Sequence, residues 1–449
     1  MSNMGRNMRS VLITAVTVCG VLTGCGQGED IRQTAAGADT PEETAVSADL
    51  AQDGRASEVS GEAADGQGEL ESGDITLSIW AGEEDKDLIA AIADQFVAEH
   101  ADEANITIEW SPMVEGECRS HLLGDILNAP DVYTTTDGDL RTIVAGGAAS
   151  PVVNPDEIKA GNLEAAVEAL TINDTIYGYP ITADNGYFLF YNAAYLTEED
   201  VQSLDRILEV AAENGKTFDM DWTSGWYLYS FFGQTGLKVG LNDDGVTNFC
   251  DWNSTENAIK GVDVAEALLA IGANPGFKNT SDWLTDAQED TCIAFVSGVW
   301  DASAIKQIWG SNCAAAKLPV YSCAGQQVQM ACYFGYKMVG VNPYSEHVAW
   351  AHELAKYISN EENQKLRFEM RGQGPSNINA GQSDAVKQDM VIQAVLTQSA
   401  YSEPQRLGGN FWTPTTNLGN ACASGEIGDL TLQELLDETV AGITASSVQ

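Results

Sequence analysis

The chain has 449 residues, 44% of them hydrophobic, and its 66 acidic and 22 basic residues give a formal net charge of −44. This length suffices for two lobes of ordinary size, and the hydrophobic content is typical of a globular protein. The negative charge would repel nucleic acid and anionic lipid, which excludes both as expected partners.

The first 25 residues predict an export signal and a lipid anchor. Arg6 and Arg9 precede an apolar stretch over residues 11–18, which is the order of a secretory signal. Leu22-Thr23-Gly24-Cys25 follows and resembles the lipobox of bacterial lipoproteins. The resemblance implies cleavage before Cys25 and acylation of its sulfur, and acyl chains anchor by about 0.8 kcal/mol per buried CH₂. The alternative is an ordinary signal peptide with a chance cysteine.

Residues 26–74 predict a disordered, extended tether. They contain 13 acidic and 2 basic residues and no aromatic residue. Such a segment cannot bury enough apolar surface to offset its loss of conformational entropy, and its like charges repel one another. The sequence therefore predicts a folded body that begins near residue 75, outside a membrane.

The start of the body predicts a parallel α/β sheet. Alternating residues indicate strands over 75–80, 106–110 and 130–136, with helices over 88–97 and 121–127 between them. Ligands bind at the carboxyl ends of such strands, so Trp80 and Asp137 are candidates for a ligand cleft. The alternatives are a packing role for Trp80 and a helix cap before Leu140 for Asp137.

Further along the chain, Asp184-Asn185-Gly186 interrupts two apolar runs and is a candidate bend between lobes. Residues 219–232 are crowded with aromatic side chains, some of which must be core. Residues 346–358 and 430–443 have apolar residues at helical spacing, which predicts two late helices.

The cysteines, histidines and other residues that commonly carry catalysis do not form a recognisable enzyme motif in this sequence. The body holds seven cysteines, an odd number whose spacing matches no zinc site, although one bridge such as Cys313 with Cys323 is possible. The sequence lacks G-x-S-x-G, H-E-x-x-H and Walker motifs, and its four histidines are not spaced to share a metal. We therefore expect a protein without cofactor or metal that is not an enzyme; with 66 acids, a glycosidase pair could always be imagined.

Several landmarks of the body fall in one order, and together they carry a family resemblance. They are Ile79-Trp80, Asn128-Ala-Pro-Asp-Val-Tyr133, Gly178-Tyr-Pro-Ile181, Phe190-Tyr-Asn192, Val296-Ser-Gly-Val-Trp300, Lys317-Leu-Pro319, Gly340-Val-Asn342 and Phe411-Trp412. The body resembles the extracellular solute-binding proteins that include maltose-binding protein. This implies a two-lobed, type II periplasmic-binding-protein-like α/β fold whose lobes are joined by three chain crossings. The lobes are expected over 75–184 with 333–390, and over 187–330 with 395–449.

The resemblance also implies the site. Trp80, Asp137 and Asp184 match cleft residues of the first lobe, and Trp226, Trp300 and Trp412 match stacking aromatics of the second. One extra residue after Pro180 leaves Asn185 as the alternative to Asp184, and Trp222 stands where the family has a tyrosine. The alternative for each Trp is core packing.

These residue types suit a sugar, because a Trp face packs on pyranose C–H groups and carboxylates bind hydroxyl pairs. We expect an oligosaccharide, with maltodextrin as the first guess, delivered by a monomer on the outer face of the cell membrane to an ABC permease. The alternatives are another oligosaccharide such as a xylo- or other plant or host glycan, a non-sugar solute such as a polyamine or phosphate ester, a surface glycan adhesin, and a glycosidase.

Overall fold

The computed structural model describes Gly68 and residues 70–446. The predictions for the export signal, for Cys25 and for nearly all of the 26–74 tether lie outside these described residues. Within them, no helix combines the length and the hydrophobicity that crossing a bilayer requires.

The first part of the body alternates strands and helices. In chain order the elements are β1 (Asp74–Ala81), α1 (Lys86–Glu99), β2 (Asn105–Pro112), α2 (Glu115–Gly124), β3 (Val132–Thr136), α3 (Asp137–Ala145), α4 (Pro155–Gly161), α5 (Glu164–Ala169), β4 (Thr171–Ile172) and β5 (Thr175–Ile176). β1 pairs in parallel with both β2 and β3. The predicted parallel α/β start is confirmed, because the alternating apolar residues of β1 are buried, as are four of the apolar residues at helical spacing in α1.

The middle of the chain begins with one long strand. In chain order the elements are β6 (Tyr179–Asn192), α6 (Leu204–Glu213), β7 (Thr217–Met220), α7 (Gly225–Leu228), β8 (Val239–Leu241), β9 (Asn248–Cys250), α8 (Gly261–Gly272), β10 (Phe277–Asn279), α9 (Trp283–Gln288), β11 (Cys292–Gly298), α10 (Ala302–Trp309), β12 (Cys313–Ala316), β13 (Val320–Cys323) and β14 (Gln326–Gln329). β11 and β12 both pair antiparallel with β6.

A second long strand opens the last part of the chain, which is otherwise mostly helical. Its elements are β15 (Cys332–Val341), α11 (Val348–Ile358), α12 (Glu361–Arg371), α13 (Ile378–Gly381), α14 (Asp384–Gln388), α15 (Met390–Gln398), β16 (Ser402–Pro404), α16 (Trp412–Ser424) and α17 (Leu432–Ile443). The two predicted late helices form as α11 and α17.

One sheet runs through the body in the order β10-β7-β11-β6-β15-β3-β1-β2, with β12 also on β6 and β16 also on β15. β6 and β15 are its central pair and run antiparallel, so that Lys337 lies opposite Thr182 and Gly335 opposite Asn185. β15 also pairs antiparallel with β3, where Lys337 lies opposite Thr136.

Two separate hydrophobic cores flank this central pair and define two lobes. The first core contains buried residues from 75–181 and 338–358, and the second contains buried residues from 187–333 and 386–443. β6 therefore leaves the first core after Ile181 and enters the second at Tyr187, while β15 returns between Tyr333 and Met338.

The third passage between the lobes lies earlier than predicted. Leu366 packs on the first core, whereas Val386 and Val391 already belong to the second, so the chain crosses between them and not at 390–395. The crossing segment pairs with β6, because Thr182 bridges Pro375 and the Ala183 N–H donates to the Gly374 carbonyl (2.9 Å). The three passages thus form one hydrogen-bonded strip.

The body also begins slightly earlier than predicted. Trp350 Nε1 donates to the Glu71 carbonyl (2.9 Å), and Nδ1 of His347 lies 2.7 Å from Oε2 of Glu71. The Asn105 N–H donates to the carbonyl of Gly73 (2.7 Å). Residues 71–74, which the sequence assigned to the tether, are therefore held against the first lobe.

Candidate functional site

Two of the predicted tryptophans, Trp226 and Trp300, lie beside the crossing strand β15, and Trp412 follows a residue that packs against it; each keeps part of its surface exposed. The Trp226 ring is 5.5 Å from that of Tyr333 on β15, and Tyr333 is 6.4 Å from Phe411, whose ring is 5.2 Å from Trp412. Further along β15, the Lys337 ammonium lies 5.9 Å from the Trp300 ring. The second lobe therefore has Trp226 and Trp300 beside the strand where the lobes meet, with Trp412 next to Phe411 behind that strand's Tyr333.

Local sequence explains these positions. Trp412 begins α16 directly after the fully buried Phe411. Gly298 has no side chain, which leaves room for the Trp300 ring to fold over the end of β11. Gly225 lets α7, which carries Trp226, approach Thr415 and Phe411 closely.

Trp222 does not belong to this group, and the prediction that it contacts a ligand is wrong in this structure. Its side chain has no exposed surface and packs at 4.3 Å on the ring of Phe277 and at 5.3 Å on that of Phe231. The dense aromatic segment supplies the second core through most of its rings, and only Trp226 of its two tryptophans reaches the lobe boundary.

On the first lobe, Trp80 is half-buried at the end of β1, with its ring edge-on to His121 at 6.5 Å. Trp80 pairs with Tyr133 of β3. The last residue of β3, Thr136, pairs with Lys337 of β15. The carboxyl ends of these strands therefore approach the crossing strand, as expected for a parallel sheet.

Asp137 begins α3 at this edge and is buried. The Tyr336 N–H of β15 donates to Oδ1 (2.9 Å), and Arg406 Nη1 of the second lobe donates to Oδ2 (3.0 Å). Burial raises the pKa of Asp137, while Tyr336 and Arg406 act in the opposite direction. The carboxylate is thus a contact between lobes.

Asp184 and Asn185 have different surroundings. Asp184 is 1% exposed and accepts a short bond from the Gly374 N–H, and its Oδ1 has no partner in the structure. Burial raises the pKa of Asp184 to about 6. Asn185 instead lies opposite Gly335, where a side chain would meet both Asp137 and Asn185. Asn185 is therefore brought beside Asp137, whereas Asp184 joins two of the lobe passages.

A buried lysine lies at the centre of the strip. Lys337 is 3% exposed, and its ammonium donates to Glu115 Oε1 of α2 (2.9 Å). Burial alone would lower the pKa of Lys337, but Glu115, Asp85 and Asp184 hold that pKa above its usual value. Sequence reasoning missed Lys337; a single cation within the otherwise uncharged strand 332–341 was the available indication.

A second buried ionic group supports the first lobe at the same place. Asp85 pairs with Arg367 and with Arg371 Nε (3.0 Å), both on α12, and Arg367 also donates to Gln373 Oε1 (2.8 Å). Burial alone would raise the pKa of Asp85, but Arg367, Lys337 and Arg371 hold it below its usual range. This network fixes the start of the third passage.

The structure contains a cavity at the lobe boundary, between α10 and the end of α12. Its lining residues are Ala302, Ser303, Lys306, Phe368, Glu369, Met370, Arg371, Gly372 and Asp389. None of the predicted tryptophans lines it, although α10 begins two residues after Trp300.

The cysteines and acidic residues form neither bridges nor a metal site in the part of the chain that the structure describes. All seven body cysteines are free there, so Cys313 and Cys323 are not bridged. No three His, Cys, Asp or Glu side chains among the described residues are grouped to hold a metal ion.

Comparison with known proteins gives related sequences and a related fold. Residues 91–394 match the family described as bacterial extracellular solute-binding protein. The galactooligosaccharide-binding protein of Bacillus subtilis (strain 168) is 23% identical over 364 residues, which cover 78% of this chain and 85% of that protein. A maltooligosaccharide ABC transporter solute-binding lipoprotein of Streptococcus pneumoniae (strain ATCC BAA-255 / R6) is 22% identical over 377 residues, covering 78% of this chain and 84% of that protein.

Among solved structures, the maltodextrin-binding protein of L. casei BL23 without ligand superposes with a TM-score of 0.69. It is 24% identical, and the likeness covers 83% of this chain and 99% of that chain. This likeness confirms the predicted two-lobed α/β fold.

Proposed function

This chain belongs to the family of bacterial extracellular solute-binding proteins, and on that premise we propose that it is the substrate-binding component of an ABC importer. It captures an oligosaccharide between its lobes and delivers it to the transmembrane subunits of a permease. The relatives named for maltooligosaccharide and galactooligosaccharide support this reading. Maltodextrin remains the first candidate ligand.

The observation that carries the proposal is that two half-buried indoles, those of Trp226 and Trp300, lie beside β15. Trp226, Trp300 and Trp412 belong to one lobe and keep exposed surface, while Trp80 lies at the boundary edge of the other lobe. Flat indole faces bind the C–H faces of pyranose rings with little loss of entropy, and several indoles in a row suit a chain of sugars. Ligand contacts on both lobes would stabilise the closed arrangement, since only differential affinity shifts such an equilibrium.

We also propose that the protein binds its ligand and does not catalyse a reaction on it. A glycosidase needs two carboxyl groups that flank the scissile bond. Asp137 and Asp184 are instead bonded to Tyr336, Arg406 and Gly374 of the protein itself. Incubation with malto-oligosaccharides, followed by chromatography, should therefore give no shorter products.

The proposed setting is the outer face of the cell membrane, with the body held through acylated Cys25 and the acidic segment after it. Metabolic labelling with a palmitate analogue tests this: label is expected on the chain and absent from Cys25→Ser. Label that persists in Cys25→Ser would contradict the anchor. The chain is proposed to act as a monomer.

Calorimetry against a panel of glycans tests the ligand. We expect maltotriose and longer α-1,4-glucans to bind with micromolar dissociation constants, near −8 kcal/mol. Galacto-oligosaccharides are the second candidate, because a relative carries that name, and xylo-oligosaccharides, putrescine and amino acids complete the panel. Binding only to the non-sugar compounds would overturn the saccharide proposal.

Substitution of the indoles ties binding to the site. Trp300→Ala and Trp226→Ala should weaken binding of the best glycan at least tenfold, since each removes one stacking face worth about 1.4 kcal/mol or more. Trp110→Ala is the matched control, because Trp110 is half-buried on β2 and lies outside the predicted site. Equal losses of affinity in all three variants would show that the indoles beside β15 contribute no more to binding than Trp110 does.

A further inference from the structure

The loop over residues 405–411 connects β16 to α16 and is held firmly by the second lobe at one point. The Gly408 N–H donates to Asn248 Oδ1 (2.6 Å), and Asn248 Nδ2 donates back to the Gly408 carbonyl (3.3 Å). Asn248 is buried in β9, and the absence of a side chain at Gly408 allows close approach to the Val246 carbonyl. This part of the loop therefore moves with the second lobe.

The beginning of the same loop reaches the first lobe. Arg406 Nη1 donates to Asp137 Oδ2 (3.0 Å) on the first residue of α3. The neighbouring Gln405 side chain covers Gly138, where an added side chain would meet it at 3.3 Å. Trp412 follows Arg406 by six positions in the sequence, so this contact and a proposed stacking residue share one short connection.

The surroundings of Asp137 favour an ion pair with a cation. Its side chain is 4% exposed, and one oxygen is already bonded to the Tyr336 N–H of the crossing strand. A charge-assisted bond to a buried carboxylate is stronger than a surface ion pair, and its loss leaves a buried charge without a partner. Arg406 remains one-third exposed, so it can leave Asp137 and enter water when the lobes separate.

We propose that Arg406 is a positioning residue for ligand capture, whose ion pair with Asp137 latches the second lobe to α3 and places Trp412 at the lobe boundary. The proposal rests on the proposed function and reassigns Asp137 from ligand contact to latch acceptor. The ion pair exists only while the lobes are together, so it favours the closed arrangement before and after ligand binds.

Small-angle scattering of the ligand-free full chain tests the latch without any ligand. Arg406→Gln should increase the radius of gyration relative to the wild type, because open molecules become more populated, and Arg406→Lys should restore most of the compaction. The matched control is Arg141→Gln, which removes the same charge from an exposed position of α3. An Arg406→Gln protein as compact as the wild type and the control would overturn the latch.

Kinetics with maltotriose as the probe give the second readout. Arg406→Gln should release maltotriose about tenfold faster with little change in association, since lost closing contacts act mainly on dissociation. Asp137→Asn should do the same, and the double variant should be no worse than either single variant. Tighter binding in Arg406→Gln would also overturn the latch, because it would mean that Arg406 competes with the sugar for Asp137.

The two readouts separate the latch from the proposed function. If the wild type binds no glycan of the panel, the saccharide proposal fails, and the scattering comparison of the ligand-free variants alone decides whether Arg406 joins the lobes.

Discussion

Trp222 and Trp226 stand four positions apart, yet only Trp226 keeps exposed surface. Trp222 lies between Phe231 and Phe277 in the second core, whereas Trp226 lies on α7 against Tyr333 of the crossing strand. The family resemblance predicts ligand contact for Trp222, Trp226, Trp300 and Trp412 alike. It could not separate Trp222 from the other three, because the direction of a side chain in the turn between β7 and α7 depends on residues distant in the chain.

Replacing each of these two residues should separate stability from binding. Trp222→Ala should lower the free energy of unfolding by about 3–5 kcal/mol, the usual range for a fully buried large side chain. Trp226→Ala should lose less stability and more ligand affinity. Urea denaturation and calorimetry measure the two quantities, and a Trp222→Ala protein that keeps its stability but loses its ligand would reverse the assignment.

The buried carboxyl of Asp184 predicts a pH dependence of stability. Its pKa rises from 3.8 to about 6 on folding because of burial, so the folded state binds this proton more tightly than the unfolded state. The resulting stabilisation is fully present below pH 3.8 and is lost as the pH rises through about 6, an effect of about 3 kcal/mol. Lys337 and Arg367 nearby reduce the rise in pKa without abolishing it.

Asp184→Asn tests this dependence, because its amide oxygen can still accept from the Gly374 N–H while carrying no charge. The variant should be more stable than the wild type at pH 7.5 and equal to it near pH 4, as measured by urea denaturation. An unchanged difference between the two proteins across this range would contradict the buried titration.

The residues that sequence reasoning missed share one physical trait, which is that their partners are remote in sequence. Arg406 meets Asp137 from 269 positions away, and Lys337 meets Glu115 from 222 positions away. Residues so far apart in the chain have no spacing pattern from which a single sequence could predict their contact. Composition indicated only that cations are scarce in this chain, with 22 among 449 residues.

At the scale of elements, the packing of α16 depends on the absence of a side chain. Gly419 lies in the middle of α16, where an added methyl group would collide with the backbone carbonyl of Trp222. Its neighbour in space, Gly272 at the end of α8, likewise approaches the backbone of Cys422 and Ala423. Close approach of backbones, and not flexibility, therefore explains these two helical glycines.

Gly419→Ala should consequently destabilise the protein by about 1–3 kcal/mol, the cost of overpacking, although alanine is the better helix former. Gly116→Ala is the matched control, because Gly116 lies in α2 with open space around its Cα. The control should be neutral or gain up to about 1 kcal/mol. Thermal unfolding measures both, and a stabilised Gly419→Ala protein would refute the packing account.

Elements with a strong periodic pattern could be predicted from the sequence, and irregular ones could not. β1, α1 and β2 form where the apolar residues recur at the right spacing. The second helix forms over Glu115–Gly124 and not over 121–127, since the chain turns at Asp125, whose carboxylate accepts from the Asn128 side chain. The third lobe passage has no periodicity, and its position follows only from hydrogen bonds to β6.

At the scale of the whole molecule, seven unbridged thiols are distributed over both lobes, with Cys118 in the first core and most of the others in the second. Burial raises the pKa of Cys118, Cys250, Cys332 and Cys422 to about 12. The thiolate is the reactive form, so the folded protein is protected from oxidation by its packing.

A thiol reagent should therefore distinguish folded from unfolded chains. At pH 8 fewer than about one thiol per native molecule should react with the reagent within minutes, and the half-buried Cys250 should react first. In denaturant all seven body cysteines should react without prior reduction. A shortfall in the unfolded count that a reductant restores would reveal a bridge.

The position of β15 between β6 and β3 has a consequence for the order in which the protein can be made. Strands β1 to β3 are synthesised first, but the strand that joins them to β6 ends only at Val341, about three quarters of the way along the 449 residues. Domains that are contiguous in sequence can fold as they emerge during synthesis. Here neither lobe is contiguous in sequence, so neither can complete its core until β15 has been synthesised.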